Sequence, residues 1–508
     1  MPPSQPSGAR LIKHITAFLV LFVLWVTLVY FQARARRPWN DEAMLATPGL
    51  NLIERGYMGT TVLEQDVLPR IHRYTYWVFP LYLVTLAGWY KIVGFSLLKV
   101  RAFSALCTLV LLAEVYVLAK HWLQSISIAW LSVMLLALDY NIMLAASFGR
   151  YDPMVAALGF GAFASYVVIR QRSLPTALLV SNILVAACGI THPNGLLFLT
   201  GLIFLVLHYD RKSLRVSGVA LAAIPYIIGA LAWGYYLSHD PKSALAQLTQ
   251  NSSSRVSLFT PLRAIQGELG RYMSAAGLTH LHSAGAAGPI FLKAIPWLAY
   301  FAAVAFLALS PKLRHRYRTA LGLTATIFLY MCFFEGIKFT YYLEHIIPLY
   351  TMLLAAAIYN VWENSRVPRF LTVCAIAIAM SIGIGGVVQR IRLNTFQNMY
   401  SPAVAFVRQN AGPTDLVMAS CDFGFSYGFA PNLLDDIRIG YHSSKIPQFI
   451  VVEEIYRGNF DGWRTAEPPL YAFISDRMRE YDLVYSWNTY QIYRRKDGLA
   501  PQTGVPTD

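Results

Sequence analysis

The chain is poor in charge and in cysteine, and it carries no nucleotide fingerprint. Each shortage narrows what it can be. Only 14% of its 508 residues are charged, while 56% are hydrophobic, and the mean hydropathy is +0.45. A water-soluble fold of this length has no use for so much apolar surface. The five cysteines (Cys107, Cys188, Cys332, Cys374 and Cys421) are scattered, four of them inside apolar runs, so neither a disulfide framework nor a zinc ribbon is supported. Acidic residues number 27 against 42 Lys and Arg, for a formal net charge of +15. The basic residues stand in short clusters between apolar runs, a topological pattern that argues against nucleic acid as a partner. No convincing internal repeat of the kind common in transporters is found.

What is present is a series of apolar runs near the length of about 20 residues that crosses a hydrocarbon core. The first, 11–31, is too long for a signal-peptide core and has no convincing cleavage site, so it reads as a retained anchor. Further crossings are expected at about 100–119, 126–146, 153–169, 174–190, 194–208, 216–236, 289–309, 319–334, 341–361 and 369–388. The run 76–94, with Pro80, Gly88 and Lys91, is ambiguous. If it dips in without crossing and Arg10 and Lys13 are inside, the clusters at Arg170–Arg172, Asp210–Arg215, Lys312–Arg318 and Arg366–Arg369 all face the cytoplasm, as the positive-inside rule asks. A full crossing would put all four outside. The expected fold is therefore mainly α, a polytopic bundle of about 11 spans plus a re-entrant or juxtamembrane helix, with a small C-terminal α/β domain.

The division that follows is a membrane part, 1–393, with outer loops 32–75 and 237–288. A small soluble α/β domain, 394–496, comes next on the outer face, and then a disordered end, 497–508. Apolar spacing in 41–56 predicts two short interfacial helices interrupted at Pro48–Gly49. The Ser-, Gly- and Ala-rich 237–288 loop reads as a flap or as partly disordered. In the tail, alternating pieces suggest a βαβ core, and Ser420–Gly424 lacks the spacing of a phosphate-binding glycine loop.

The same topology puts several chemistry-bearing residues on one outer face. Asp41 and Glu42 follow the first span. They either cap a helix or supply a carboxylate that takes a proton from an attacking hydroxyl. Arg150 and Asp152 flank a turn, as an interfacial ion pair or as a functional pair in a setting where charge is costly. Lys338, with Tyr341 and Tyr342, is explained by snorkelling and aromatic anchoring or by a phosphate to be held. Glu344 and His345 lie inside an apolar run and resist the anchoring explanation. His192 stands in the Thr191–His192–Pro193–Asn194 turn, and His72 with Arg70 and Arg73 adds positive charge before the 76–94 run. His72, Glu64 and Asp66 have no diagnostic ligand spacing. No cofactor is certain, and a divalent metal is left open.

Taken in order, Trp39–Asn40–Asp41–Glu42 with the Leu-rich segment to Arg55–Gly56, Pro80–Leu81–Tyr82, Gly94–Phe95–Ser96 leading to Arg101, Arg150–Tyr151–Asp152–Pro153, Thr191–His192, and Lys338 leading to Tyr341, Tyr342 and Pro348 resemble the GT-C superfamily of membrane glycosyltransferases. The resemblance is to bacterial relatives of protein O-mannosyltransferases and of the lipid A aminoarabinose transferase, and it spans nearly the whole membrane part. It implies a polyprenyl-phosphate sugar donor, with Asp41 as the general base and Glu42 shaping its site. Asp152 would then position Asp41 or the acceptor, and Lys338, Arg150 and His192 would contact phosphate. His192 stands where some relatives have lysine, and Glu344–His345 replaces a more usual Leu-Pro. The expected activity is inverting transfer of a sugar to an acceptor hydroxyl of a protein, a lipid or a glycan, on the outer face of a bacterial inner membrane with the N-terminus cytoplasmic. A transporter or lipid flippase is the alternative, and a non-catalytic scaffold acting through the tail is a third.

Overall fold

The computed structural model describes residues 8–64, 68–253, 261–278, 290–364 and 368–496. The proposed disordered end, 497–508, and Asp66 lie outside the described residues. The chain forms two compact units, each discontinuous in sequence. One comprises Met1–Ala33, Arg101–Tyr236 and Ser253–Ile391, the other Arg34–Val100, Leu237–Ser252 and Arg392–Asp508.

The first unit is helical. Its helices begin where the sequence offers caps: Ser125 accepts the Ile128 amide, Ser173 the Thr176 amide, and Asp139 those of Asn141 and Ile142, satisfying donors that a helix start leaves open. Pro153 and Pro175 occupy first-turn positions, where a missing N–H costs nothing. Among the described residues, six helices are long and apolar enough to cross a membrane, or seven if the pair Ile126–Ala137 and Tyr140–Ala146, bent by 65°, counts as one span. Leu174–Gly189, Gly195–Asp210 and Arg318–Phe333 are shorter apolar helices. The chain is a multi-pass membrane protein. Close approach between Asp152–Ile169 and Gly195–Asp210 depends on Gly159, where a Cβ would lie 2.2 Å from the Phe198 ring.

The second unit is built on a five-stranded sheet: β1 (Val417–Met418), β2 (Leu433–Leu434), β3 (Phe449–Val452), β4 (Tyr481–Trp487) and β5 (Tyr490–Arg495), in the order β2-β1-β3-β5-β4. β1 runs parallel to β2 and β3, and β5 is antiparallel to both its neighbours. Strand residues alternate between two cores, as a period of two requires. Val417, Leu433, Phe449 and Val451 face one core, Met418, Leu434, Ile450 and Val452 the other. The first core is completed by Ala43, Val62, Leu63 and Ile71, so the tail does not bury its sheet alone. The 34–100 segment supplies part of that core, and Leu63 bridges to Asp435.

One local expectation is corrected. Asn40–Arg55 is one helix that runs through Pro48 and Gly49. Packing overrides the local breaker: a Cβ on Gly49 would sit 3.0 Å from the Leu83 carbonyl of the neighbouring helix Pro80–Val93. The described parts of 237–288 are helices, Pro241–Ser253 and Pro261–Ala275. Gln247 anchors the first of them, with its side chain accepting the Tyr76 amide (2.8 Å) and donating to the Pro69 (2.7 Å) and Tyr74 (3.0 Å) carbonyls. Helix Pro80–Val93, expected as re-entrant or juxtamembrane, belongs to the second unit.

Candidate active site

In the helical unit, the turn between Tyr140–Ala146 and Asp152–Ile169 gathers much of the expected chemistry. Asp152 opens its helix, where a carboxylate is favoured by the amide dipoles. Arg150 Nε donates to Asp152 Oδ2 at 2.7 Å, and both side chains are 3% exposed. The guanidinium lies 4.1 Å from the Tyr341 ring centroid, a desolvated cation–π contact, and donates to the Tyr151 hydroxyl at 3.3 Å. His192 stacks on Tyr151 with centroids 4.3 Å apart and stands 5.6 Å from Tyr342. Its Nδ1 accepts the Asn194 amide (3.1 Å), which makes Nε2 the protonated nitrogen of the neutral ring. Tyr342 in turn stacks on His345 at 6.1 Å. Arg150, Asp152, His192, Tyr341 and Tyr342 thus form one cluster, buried except for the half-buried Tyr341, with Tyr151, Glu344 and His345 as further members.

Glu344 and His345 occupy the 3-10 turn Thr340–His345 before helix Ile347–Asn364. Asp152, Glu344 and His345 are buried, and each offers a ligand atom within 4.8 Å of the other two, the one such trio of potential metal ligands among the described residues.

Lys338 stands elsewhere in the same unit. Its ammonium donates to the Met331 and Cys332 carbonyls (2.9 Å to the latter) at the end of helix Arg318–Phe333, acting as a C-terminal cap. It also lies 3.3 Å from Glu268, which together with Glu335 clasps the buried Arg271. Burial lowers the Lys338 pKa, with Glu268 pulling the other way. Burial acts most strongly on Arg271 too, but Glu335 and Glu268 outweigh it and raise its pKa. Asn194 donates to Glu335 at 3.1 Å, tying the His192 turn to this network. A phosphate at Lys338 would compete with these partners. The Glu268–Arg271 pair went unread in the sequence, although its i,i+3 spacing on an amphipathic segment was a usable signal.

The second unit holds the remaining candidates. Asp41 is half-buried in the first turn of Asn40–Arg55, and its amide is bonded to Asn40 Oδ1 (2.9 Å). Glu42 is fully buried and accepts the Trp39 amide at 3.1 Å. The capping role therefore falls to Glu42. His72 has a lowered pKa through burial and the charges of Arg70 and Arg73, and Arg73 lies over Tyr57 at 5.6 Å. A buried acidic group in the tail was not foreseen. Asp422 is pushed up to about 8 and Asp435 to about 6, each chiefly by burial. Arg37 is a tertiary partner here, bonded to Glu454 (2.7 Å) and Thr489 (3.1 Å).

The fold is that of the GT-C membrane glycosyltransferases. No protein-family model matches the chain, and no curated protein matches it by sequence. Among solved structures it is similar to ArnT from Cupriavidus metallidurans bound to undecaprenyl phosphate, with a TM-score of 0.60 and 15% identity over 96% of this chain and 99% of that one. It is also similar to the apo oligosaccharyltransferase of Archaeoglobus fulgidus, with a TM-score of 0.50 and 11% identity over 95% of this chain and 75% of that one.

Proposed function

We propose that the protein is an inverting glycosyltransferase that moves a sugar from a polyprenyl-phosphate donor to an acceptor hydroxyl on the non-cytoplasmic face of a bacterial inner membrane. The observation that carries this reading is the buried Arg150 cluster within a GT-C fold that extends over nearly the whole chain. A buried cation among Tyr151, His192, Tyr341 and Tyr342 suits an anionic group whose carrier is a lipid. The donor class is supported by the undecaprenyl phosphate bound to the similar ArnT.

In this mechanism Asp41 removes the proton of the acceptor hydroxyl as the oxygen attacks the anomeric carbon. The bond from that carbon to the phosphate oxygen breaks, and polyprenyl phosphate departs with the electron pair. The carboxylate serves as general base and as electrostatic partner of the oxocarbenium-like transition state. Glu42 holds the start of the Asp41 helix. Asp152 positions Arg150, and Arg150, His192, Tyr341 and Tyr342 contact the phosphate. Lys338, His72 and Arg73 add positive potential.

The test uses purified protein in liposomes with a panel of polyprenyl-phosphate sugars. Wild type is expected to release sugar to acceptor, and Asp41→Asn to lose transfer while remaining folded and inserted. Near-normal turnover by Asp41→Asn would overturn the base assignment. Transport without sugar transfer would favour a flippase. Reporter fusions at Ser173 and Ser310 test sidedness, with a cytoplasmic signal expected at both.

A further inference from the structure

We propose that Asp152, Glu344 and His345 bind one divalent first-row cation, Zn2+ more tightly than Mn2+. The sequence offered no ligand spacing because these residues come from two helix junctions nearly two hundred positions apart. One junction is the first turn of Asp152–Ile169, the other the turn before Ile347–Asn364.

The geometry fits a shared cation. Glu344 Oε1 and His345 Nε2 are 3.8 Å apart, with the two side chains 4% and 1% exposed. That is too long for a hydrogen bond. It suits two ligands on a common ion, because donors held at 2.0–2.2 Å from zinc are separated by about 3.4 Å at a tetrahedral angle and about 4 Å at wider ones. Neither ring nitrogen of His345 makes a hydrogen bond, and neither does Glu344 Oε1. The ring lies against the Asp152 backbone without reaching bonding geometry. Polar atoms so deeply buried are costly when they have no partner. A cation supplies that partner to both residues at once.

Charge argues the same way. Asp152 is matched by Arg150, so an ionised Glu344 needs a positive charge that this pair does not supply. A divalent ion supplies that charge. The set of one imidazole and two carboxylates is of borderline softness and suits Zn2+ or Mn2+ better than the hard, oxygen-seeking Ca2+ or Mg2+. Three protein ligands leave a coordination position open. Resting on the glycosyltransferase reading, that position accepts a phosphate oxygen of the donor, beside the Arg150 guanidinium. The metal would then share with Arg150 the charge that builds on the departing phosphate.

The experiment measures the metal apart from turnover. Full-length protein in detergent is stripped with chelator, reloaded with Zn2+, Mn2+ or Co2+, and its bound metal is quantified by elemental mass spectrometry. Wild type and the control His208→Ala are expected to hold one ion per chain. Glu344→Gln and His345→Ala should each bind at least tenfold more weakly while eluting as folded protein. Should His345→Ala fail to fold, Co2+ absorption of wild type decides, with intense low-coordinate bands expected. Wild-type binding no tighter than that of a Glu344→Gln/His345→Ala double variant, or a Co2+ spectrum like that of the aqueous ion, would overturn the site. Asp41→Asn should keep its metal, so failure of the base assignment and failure of this site are separate outcomes.

Discussion

Replacing Arg150 with Met tests the buried cluster most directly. The guanidinium faces Asp152 at 2.7 Å with both side chains 3% exposed, and Glu344 stands within the same field. Removing the cation leaves the Asp152 carboxylate buried beside Glu344 without its ion-pair partner. Orphaning one partner of a buried pair costs about 3–5 kcal/mol. Asp152→Asn keeps an oxygen for Arg150 Nε, so its cost is about 1–3 kcal/mol. The double variant removes both charges and should be more stable than the sum of the singles by about 2 kcal/mol. The assay is unfolding of the purified protein in mixed micelles with increasing SDS, in the presence of chelator. Repeating it with Zn2+ should shrink the cost of Arg150→Met, because a divalent ion neutralises the same carboxylates. A cost below about 1 kcal/mol in chelator, or singles that add to within about 0.5 kcal/mol, would refute the reasoning.

Two other expectations concern stability. Lys338→Met removes the cap on helix Arg318–Phe333 and a cation beside Glu268, and should cost about 1.5–3 kcal/mol with a lower aggregation temperature; an unchanged temperature with a raised donor KM would instead make Lys338 a phosphate contact. The second unit should lose stability as pH rises from about 4 to about 8. Asp435 and Asp422 have folded values of about 6 and about 8 against 3.8 ordinarily, so the folded state holds protons that the unfolded state has released. For Asp435 the full loss is about 3 kcal/mol above pH 7, read from amide exchange of β1–β5 corrected for intrinsic rate. Asp435→Asn should flatten that slope, and a slope unchanged by the substitution would count against burial as its cause.

The apolar runs and the alternating pieces of the tail were legible in the sequence, because hydropathy patterns act over a few neighbouring residues. The run 126–146 was read as one crossing, yet it bends by 65°, and Tyr300 donates to Asp139 at the break. That contact is non-local. The same holds for the candidate site. Asp41, Arg150, Asp152 and Lys338 could be singled out as charges that a bilayer penalises, but their partners could not.

What the sequence determined by itself was the helical membrane class and which turns carry charge, since transfer of apolar side chains from water is a nearly additive property of composition. What only the tertiary structure decided was the pairing. It turned Lys338 to the end of a helix, gave Glu42 the cap, joined 34–100 to the sheet, and brought Glu344 and His345 to Asp152. Each of these depends on which distant backbones pack together, and a buried charge or imidazole takes its chemistry from whatever that packing sets beside it.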